Sequence, residues 1–463
     1  MSSSEGLIDR EAEQAMRESF EQQVEEILES AENYEVSEGW KIGLETEYPL
    51  VDRSFNPVSS SDRDELIEDF DFADVEVGGS QVEIRTEPVI PESLSELEQL
   101  MSSAESDLEI KASEQGLKLL RSGAHPFVDL ESIPISSEEK YQKVPPFHER
   151  NRHRKVHERL GIEEVIDPRD ADLAAVINST QVNVQAEGLE DAVEKANYTY
   201  MISPFMSAIS GNARFVGGKD TGLDDARMPI WEKSHDIRDP ESLEDEKHVG
   251  ELDSYYGSED EDVHDLRDYF ERVKRQPFIL NDEEKREDAR EIGIGTFWKD
   301  SRIKFNHEPE EDIYEAVVES RIVSTQPSVA EEVAMHGFYI GRLAYAQNKR
   351  EIEVEASEKE QLLDIEKVNR NRSAAVYNGL DTKLYDTSGE LRDAREVLEE
   401  ELDKAVRGLD YTGIDGESYL ELLYDRLEEG TPSDLMAEGF NNALEEGETR
   451  EEALERGLEY QRR

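Results

Sequence analysis

Residues 40–51 read WKIGLETEYPLV, and this stretch decides the fold class because its side chains alternate as they do in a β-strand. Every second residue from Ile42 to Tyr48 falls on a mostly apolar face. Glu45 and Glu47 project from the opposite face. The pattern predicts a strand that buries one side in a core and presents two carboxylates, roughly 6.5–7 Å apart along the chain, on the other side.

Three more segments, at 74–88, 173–186 and 311–324, alternate in the same way. Their polar faces add carboxylates, carboxamides and arginines to those of the first strand: Gln81, Glu83, Arg85, Glu87, Gln181, Asn183, Gln185, Glu319 and Arg321. Between the strands, the sequence predicts helices over residues 5–33, 92–118, 188–213 and 328–348. The irregular order of strands and helices indicates an α+β fold with a curved, mainly antiparallel sheet.

The polar face of this sheet has two interpretations. The first interpretation is an antiparallel sheet whose polar face is simply exposed to solvent. On this chain, an exposed face should be as rich in Asp and Glu as the rest of the surface. The mixture of Gln, Asn and Arg with a few Glu residues leaves a concave site equally open. In such a cleft, carboxylates would hold hard cations and arginines would face the phosphates that these cations bridge. The chain has no glycine-rich phosphate loop, so a nucleotide would have to be held in this other way.

Net charge is the strongest feature of the composition. The 463 residues include 113 Asp and Glu against 52 Lys and Arg, which gives a formal charge of −61. We interpret the chain as a cytoplasmic protein of a salt-accumulating organism, with an acidic scaffold or nucleic-acid mimic as the alternative. The same charge argues against direct binding to nucleic acid. The absence of cysteine excludes disulfides and thiolate sites, and no apolar run is long enough to span a membrane.

Folding and activity should therefore require high salt. Self-repulsion among the excess negative charges destabilises a compact state, and molar salt screens it by shortening the Debye length to about 3 Å. We expect circular dichroism to show loss of structure, and turnover to fall, as KCl is lowered. Full native structure at about 20 mM KCl would contradict this interpretation.

Eight short motifs follow one another between about residues 41 and 380. They are Gly43-Leu44-Glu45-Thr46-Glu47, Gly79-Ser80-Gln81-Val82-Glu83, Ala124-His125-Pro126-Phe127, Gln181-Val182-Asn183-Val184, Asp220-Thr221-Gly222 with Ala226-Arg227, Trp298-Lys299-Asp300-Ser301-Arg302, Glu319-Ser320-Arg321 with Thr325-Gln326-Pro327, and Asn371-Arg372 with Gly379-Leu380. In this order they resemble the motifs of the second glutamate–cysteine ligase family, whose members are carboxylate–amine ligases related to glutamine synthetase. The sequence departs from the family pattern at Ser324, Lys299 and Gly79.

The resemblance implies a glutamine synthetase-like catalytic domain. It also implies an ATP-dependent ligase that forms a γ-glutamyl amide from glutamate through an acyl phosphate, with Mg²⁺ or Mn²⁺ as the metal. Cysteine is the expected amine. Another amine or amino acid remains open, as does a catalytically inactive binding or regulatory protein on the same scaffold.

The resemblance also implies roles for individual residues. The expected metal ligands are Glu45, Glu47, Glu83 and Glu319. The residues expected at the nucleotide are Gln181 and Arg227, and those expected to act on the transferring phosphoryl group are Arg227, Arg302 and Arg321. The expected substrate contacts are Arg85, His125 and Asn183. A surface ion pair remains an alternative for Arg85, as does a purely structural role for His125.

The chain is predicted to fall into three parts. Residues 1–37 form an N-terminal helical extension, and residues 38–390 form the catalytic domain, in which 235–295 is a charged insertion or lid. Residues 391–463 form an acidic helical tail. No family motif lies in the tail, so we expect the chemistry to survive its removal. The sequence leaves the oligomeric state open.

Overall fold

The computed structural model describes residues 10–34, 40–143, 171–234, 250–257, 266–278, 289–308, 313–347 and 359–461. The start of the predicted N-terminal extension and much of the predicted 235–295 insertion lie outside these residues. Among the described helices, none combines the length and the apolar character needed to cross a membrane.

The strands are β1 (Ile42–Val51), β2 (Ala73–Val75), β3 (Gln81–Arg85), β4 (Lys118–Leu119), β5 (Thr180–Gln185), β6 (Phe215–Val216), β7 (Lys219–Asp220), β8 (Ser301–Glu308), β9 (Ile313–Ser320), β10 (Lys383–Tyr385) and β11 (Leu391–Asp393). The helices are α1 (Arg10–Glu29), α2 (Ser60–Ile67), α3 (Leu94–Glu114), α4 (Glu139–Gln142), α5 (Leu189–Ser210), α6 (Arg227–Ser234), α7 (Leu266–Lys274), α8 (Ala289–Gly295), α9 (Val329–Ala346), α10 (Ile365–Asn378), α11 (Ala394–Thr412), α12 (Glu417–Glu429), α13 (Pro432–Glu445) and α14 (Arg450–Tyr460).

One curved sheet organises the fold. Its strands lie in the order β2-β3-β1-β5-β9-β8, with β4 paired to the far end of β1, and every pair is antiparallel. Helices cover one face of this sheet and continue beyond it in the C-terminal region. The predicted α+β class with a curved, mainly antiparallel sheet is therefore confirmed.

The strand register brings the predicted polar side chains into adjacent rows. Glu47 lies opposite Glu83 of β3, and Glu45 lies opposite Arg85 on one side and Gln181 on the other. A neighbouring row joins Asn183 of β5 to Glu319 of β9, and Glu319 to Arg302 of β8. Because side chains of directly paired residues share a face, five separate motifs meet on one surface of the sheet.

The opposite face of the sheet packs into the main core. Leu44 and Tyr48 of β1 are buried there against the long helices α5 and α9. The Tyr48 hydroxyl donates a hydrogen bond to Glu332 of α9 at 3.1 Å. This packing sets the orientation of β1 and therefore of Glu45 and Glu47 on its other side.

Two segments differ from their predicted secondary structure. The segment 74–88 forms two short strands, since the backbone turns after β2 and the Gly78 N–H donates to Gln81 Oε1 at 2.6 Å. The glycine-rich segment 214–234 indicates a loop in the sequence, but it contains the β6–β7 hairpin and helix α6. Asp225 begins this helix by accepting the Arg227 N–H at 3.0 Å, and all eight helix residues are buried. Tertiary packing therefore stabilises this helix although its sequence alone has only a weak helical pattern.

Helices α11 and α12, the first two after residue 390, pack into the main core with the sheet, and α13 and α14 pack in a separate cluster. A Cβ atom at Gly408 of α11 would lie 1.7 Å from the carbonyl oxygen of Gly341 in α9, so the two helices touch through their backbones. Beside them, Arg342 Nε lies 2.6 Å from Glu401 Oε2, and both side chains are buried. This packing argues against the expectation that the tail is dispensable. The division at residue 390 stays a prediction.

Candidate active site

The polar face of the sheet forms the floor of a cleft of about 430 Å³. Six basic side chains line it against four carboxylates, a difference of +2 in a protein whose net charge is −61. These ten residues are Glu45, Glu47, Glu76, Glu83, Arg85, Lys143, Arg227, Arg302, Lys304 and Arg321. The cleft thus reverses the charge balance of the chain and favours anionic ligands.

Three carboxylates in the cleft lie close together. Glu47, Glu76 and Glu83 each bring one oxygen to within 4.8 Å of the others, and we call them the carboxylate triad. Glu47 is held by the Ser179 N–H at 2.7 Å and by the Gln181 side-chain amide at 3.1 Å. The result is an all-oxygen donor set, which Mg²⁺ and Mn²⁺ prefer, so the residues present fit a divalent ion.

Electrostatics support the same fit. Burial, together with the negative charges of Glu76, Glu45 and Glu47, raises the pKa of Glu83 well above its usual range. Burial also raises the pKa of Glu47, although Arg227 and the hydrogen bonds from Ser179 oppose the rise. A bound divalent cation would relieve this repulsion and favour the ionised carboxylates.

Glu319 is surrounded by cations. Its oxygens lie 2.7 Å from Arg302 Nε, 2.5 Å from Lys304 Nζ and 3.3 Å from Arg321 Nε. Burial opposes the ionisation of Glu319, but these three cations outweigh it and hold the pKa far below its usual range. A metal ion would have to displace at least one of them, so the contacts disagree with the prediction of Glu319 as a metal ligand. In the structure Glu319 is the shared partner of these basic side chains, with Arg302 as its closest guanidinium partner.

Two arginines line the cleft, of which Arg227 is buried and Arg321 is partly buried. Arg227 donates to the carbonyl oxygens of Ile322 and Arg321, yet its Nε has no partner among the described residues. In the same part of the chain, Arg321 Nη1 is likewise without a partner. Burial lowers the pKa of both guanidinium groups because it removes solvation of their positive charge. Buried donors of this kind are suited to phosphate or carboxylate oxygens.

A buried ion-pair network and two tryptophans hold these arginines. The guanidinium carbon of Arg321 lies 5.3 Å from the ring centre of Trp298 and 6.0 Å from that of Trp231. Arg372, from the late family motif, donates to both oxygens of Asp300 and also contacts Glu232 of helix α6. The Asp300 carbonyl in turn accepts the backbone N–H of Arg321 at 3.0 Å. Arg372 thereby links the helix that carries Arg227 to the strands that carry Arg321.

The remaining predicted site residues lie in different environments. Arg85 stands at the cleft with 45% of its side chain exposed and contacts Asp74 and Glu83, as a surface ion pair does. Asn183 lies beneath the cleft, where its amide donates to Glu45 at 3.0 Å. His125 does not line the cleft. It is buried, accepts the Phe127 N–H on Nδ1 and does not support the predicted substrate contact.

Replacing His125 with Asn should leave turnover near the wild-type level and change acid stability. Burial lowers the pKa of His125 to about 4, below the ordinary value of 6.5, so only the unfolded chain is protonated between these values. Its contribution to stability is complete above pH 6.5 and is lost as the pH falls towards 4. Denaturant unfolding should show a weaker pH dependence in this window for His125→Asn. A hundredfold loss of turnover in the folded variant would instead support the prediction that His125 contacts the substrate.

The structure adds residues that the sequence interpretation missed. Glu76 follows β2, where Asp74 and Glu76 alternate around buried Val75, but a three-residue strand is too short to recognise. Lys304 belongs to β8, whose Arg-Ile-Lys-Phe alternation was a readable signal. The end of the predicted 235–295 insertion also forms part of the wall, through Ile292 and Gly295, and Thr296 follows it there.

Fold and cleft together place a carboxylate triad and several arginines on the polar face of an antiparallel sheet. The chain belongs to glutamate–cysteine ligase family 2, whose family model matches residues 41–458. The resemblance of the eight motifs to this family is therefore confirmed.

Its relatives are distant. "Putative glutamate--cysteine ligase 2-1" of Rubrobacter xylanophilus is 28% identical over 198 residues, which cover 42% of this chain and 47% of the relative. "Putative glutamate--cysteine ligase 2-3" of the same organism is 26% identical over 199 residues, which cover 42% of this chain and 48% of that relative. The match thus spans about half the length of each relative. The solved structure of a glutamate–cysteine ligase from Francisella tularensis, in complex with AMP, aligns with 93% of this chain and 90% of its own chain. It has a TM-score of 0.51 and 14% identity, so it shows a shared fold.

Proposed function

We propose that the protein is an ATP- and magnesium-dependent ligase that joins the γ-carboxylate of glutamate to a small amine, with cysteine as the expected amine. The observation that carries this proposal is the reversed charge of the cleft, which holds six basic side chains against four carboxylates in a chain of net charge −61. ATP and a dicarboxylic amino acid are anions that such a cleft attracts. Membership of the ligase family supports the same class of reaction.

The proposed reaction has two steps, because a carboxylate oxygen is too poor a leaving group for direct condensation with an amine. An oxygen of the γ-carboxylate attacks the terminal phosphorus of ATP, which releases ADP and leaves an acyl phosphate. The amine nitrogen then attacks the acyl carbon, loses a proton and expels inorganic phosphate. Arg227 and Arg321, which line the cleft, would donate hydrogen bonds to the transferring phosphoryl group.

Other residues of the cleft prepare this chemistry. The carboxylate triad would hold the metal, which when bound neutralises negative charge on the phosphates. Gln181 orients Glu47 of the triad and stands where we expect the nucleotide. Arg302 pairs with Glu319 beside Arg321, so its proposed role is to fix the charges around the phosphoryl group. Arg85 would meet the substrate carboxylate at the partly exposed side of the cleft.

The test is ATP consumption in molar KCl with Mg²⁺, glutamate and a panel of amines. We expect ADP release that depends on both glutamate and an amine, with cysteine the most active, and a γ-glutamyl product detectable by mass spectrometry. Omission of each substrate in turn is the control. Nucleotide binding without any substrate-dependent ADP release would contradict the ligase and favour an inactive binding protein on this scaffold.

A further inference from the structure

Lys304 lies between two carboxylates in the cleft. It follows Arg302 by two residues on β8, so both side chains leave the strand on its polar face. Its Nζ atom is 3.1 Å from Glu45 Oε1 and 2.5 Å from Glu319 Oε1. One ammonium group therefore bridges a carboxylate of β1 and a carboxylate of β9.

The carboxylates of this site are neutralised in two different ways. The carboxylate triad brings three oxygens within 4.8 Å of one another, as a divalent ion requires. Glu45 lies on the same face of β1 as Glu47 but stands outside this set. Its Oε1 accepts from the Asn183 amide at 3.0 Å as well as contacting Lys304. Glu45 and Glu319 thus already share a cation that belongs to the protein.

We propose that Lys304 stands in for a second divalent ion, so that the cleft binds one such ion, at the carboxylate triad. This inference rests on the proposed function, since it assumes that the triad holds a metal. An ammonium group suits the position because it donates three hydrogen bonds and carries a compact charge that two carboxylates can share. That charge is attached to the chain and is in place before any nucleotide binds.

The stoichiometry of Mn²⁺ binding without nucleotide tests this inference. Mn²⁺ is titrated into the full chain in molar KCl, and the free ion is measured by electron paramagnetic resonance. We expect one tightly bound ion per wild-type chain. Lys304→Gln removes the charge and should add a second, weaker ion, because Glu45 and Glu319 lose the cation that they share. Lys304→Arg keeps a positive charge there and should retain a count of one.

Lys111→Gln is the matched control. Lys111 pairs with an exposed carboxylate, Asp69, at 2.9 Å outside the cleft, so its loss should leave the count at one. Two tight ions in the wild type, or a single ion in folded Lys304→Gln, would overturn the inference and leave the metal site of the triad intact. A wild type that binds no tight ion would overturn both the triad site and this inference. If Lys304→Gln does not fold, the number of tightly bound Mn²⁺ ions per wild-type chain tests the inference by itself.

Discussion

Glu47→Gln and Glu83→Gln should each lower turnover by about a hundredfold or more while the protein stays folded. Each substitution keeps the shape of the side chain but removes one negative charge from the carboxylate triad. The metal would then bind more weakly, and negative charge on the phosphates would be less compensated as phosphoryl transfer proceeds. Loss of one preorganised electrostatic group commonly has an effect of this size. Steady-state kinetics at saturating Mg²⁺ in molar KCl measures it.

Stability should respond differently from turnover in these variants. Burial and neighbouring carboxylates raise the pKa of Glu83, which means that its ionised form is disfavoured without a cation. Neutral Gln relieves that repulsion, so metal-free unfolding should be unchanged or shifted towards greater stability. Glu315→Gln is the matched control, since Glu315 lies on β9 outside the cleft and pairs with Lys41 at 2.6 Å. Turnover near the wild-type level in both triad variants would remove the metal-site assignment.

The polar face of the sheet was predictable from the sequence because alternation is a local property. Glu45 and Glu47 are two residues apart on a long strand, so any regular strand places them on one face. The pairing of Glu47 with Glu83 follows from the antiparallel register and agrees with the order of the motifs. The family resemblance pointed to the same residues from an independent direction.

Contacts between distant segments were not predictable in this way. The three cations around Glu319 come from β8 and from the end of β9, and the alternation of β9 alone indicates only that Glu319 is on the polar face. Glu76 joins the triad because the short strand β2 pairs with β3, a register that three residues do not specify. The sequence motif around His125 likewise carried no information about its burial beneath the β6–β7 hairpin.

The C-terminal helices show how acidic composition can conceal a core. Charged residues are frequent in the segment after 390, and the sequence interpretation took it for an acidic helical tail that the chemistry does not need. Its apolar residues nevertheless recur at helical spacing, and nine of them belong to the main core: Ala394, Val397, Leu398, Leu402, Ala405, Leu409, Ile414, Leu420 and Leu423. On so acidic a protein, the outer face of an amphipathic helix is unusually rich in charged residues. Its inner face is apolar, as in other globular proteins.

Deletion of residues 391–463 should therefore abolish the folded enzyme. The deletion would uncover the surfaces of α9 and α5 and would leave Arg342 buried without Glu401. Removing one partner of a buried ion pair alone costs about 3–5 kcal/mol, against a total stability of about 5–15 kcal/mol for a typical domain. We expect little soluble protein, and circular dichroism without a cooperative transition, even in molar KCl. A truncated chain that folds and turns over normally would contradict the described packing.

A pair of leucine substitutions separates loss of packing from loss of length. Leu402 of α11 is fully buried in the main core, so Leu402→Ala should destabilise the protein by about 2–5 kcal/mol through the cavity that it leaves. Leu391 is 48% exposed at the start of the same region, and Leu391→Ala should cost no more than about 0.5 kcal/mol. Denaturant unfolding in molar KCl compares the two. If both substitutions lower the free energy of unfolding by equally small amounts, the C-terminal helices contribute little to the core. That result would support the expectation that the tail is dispensable.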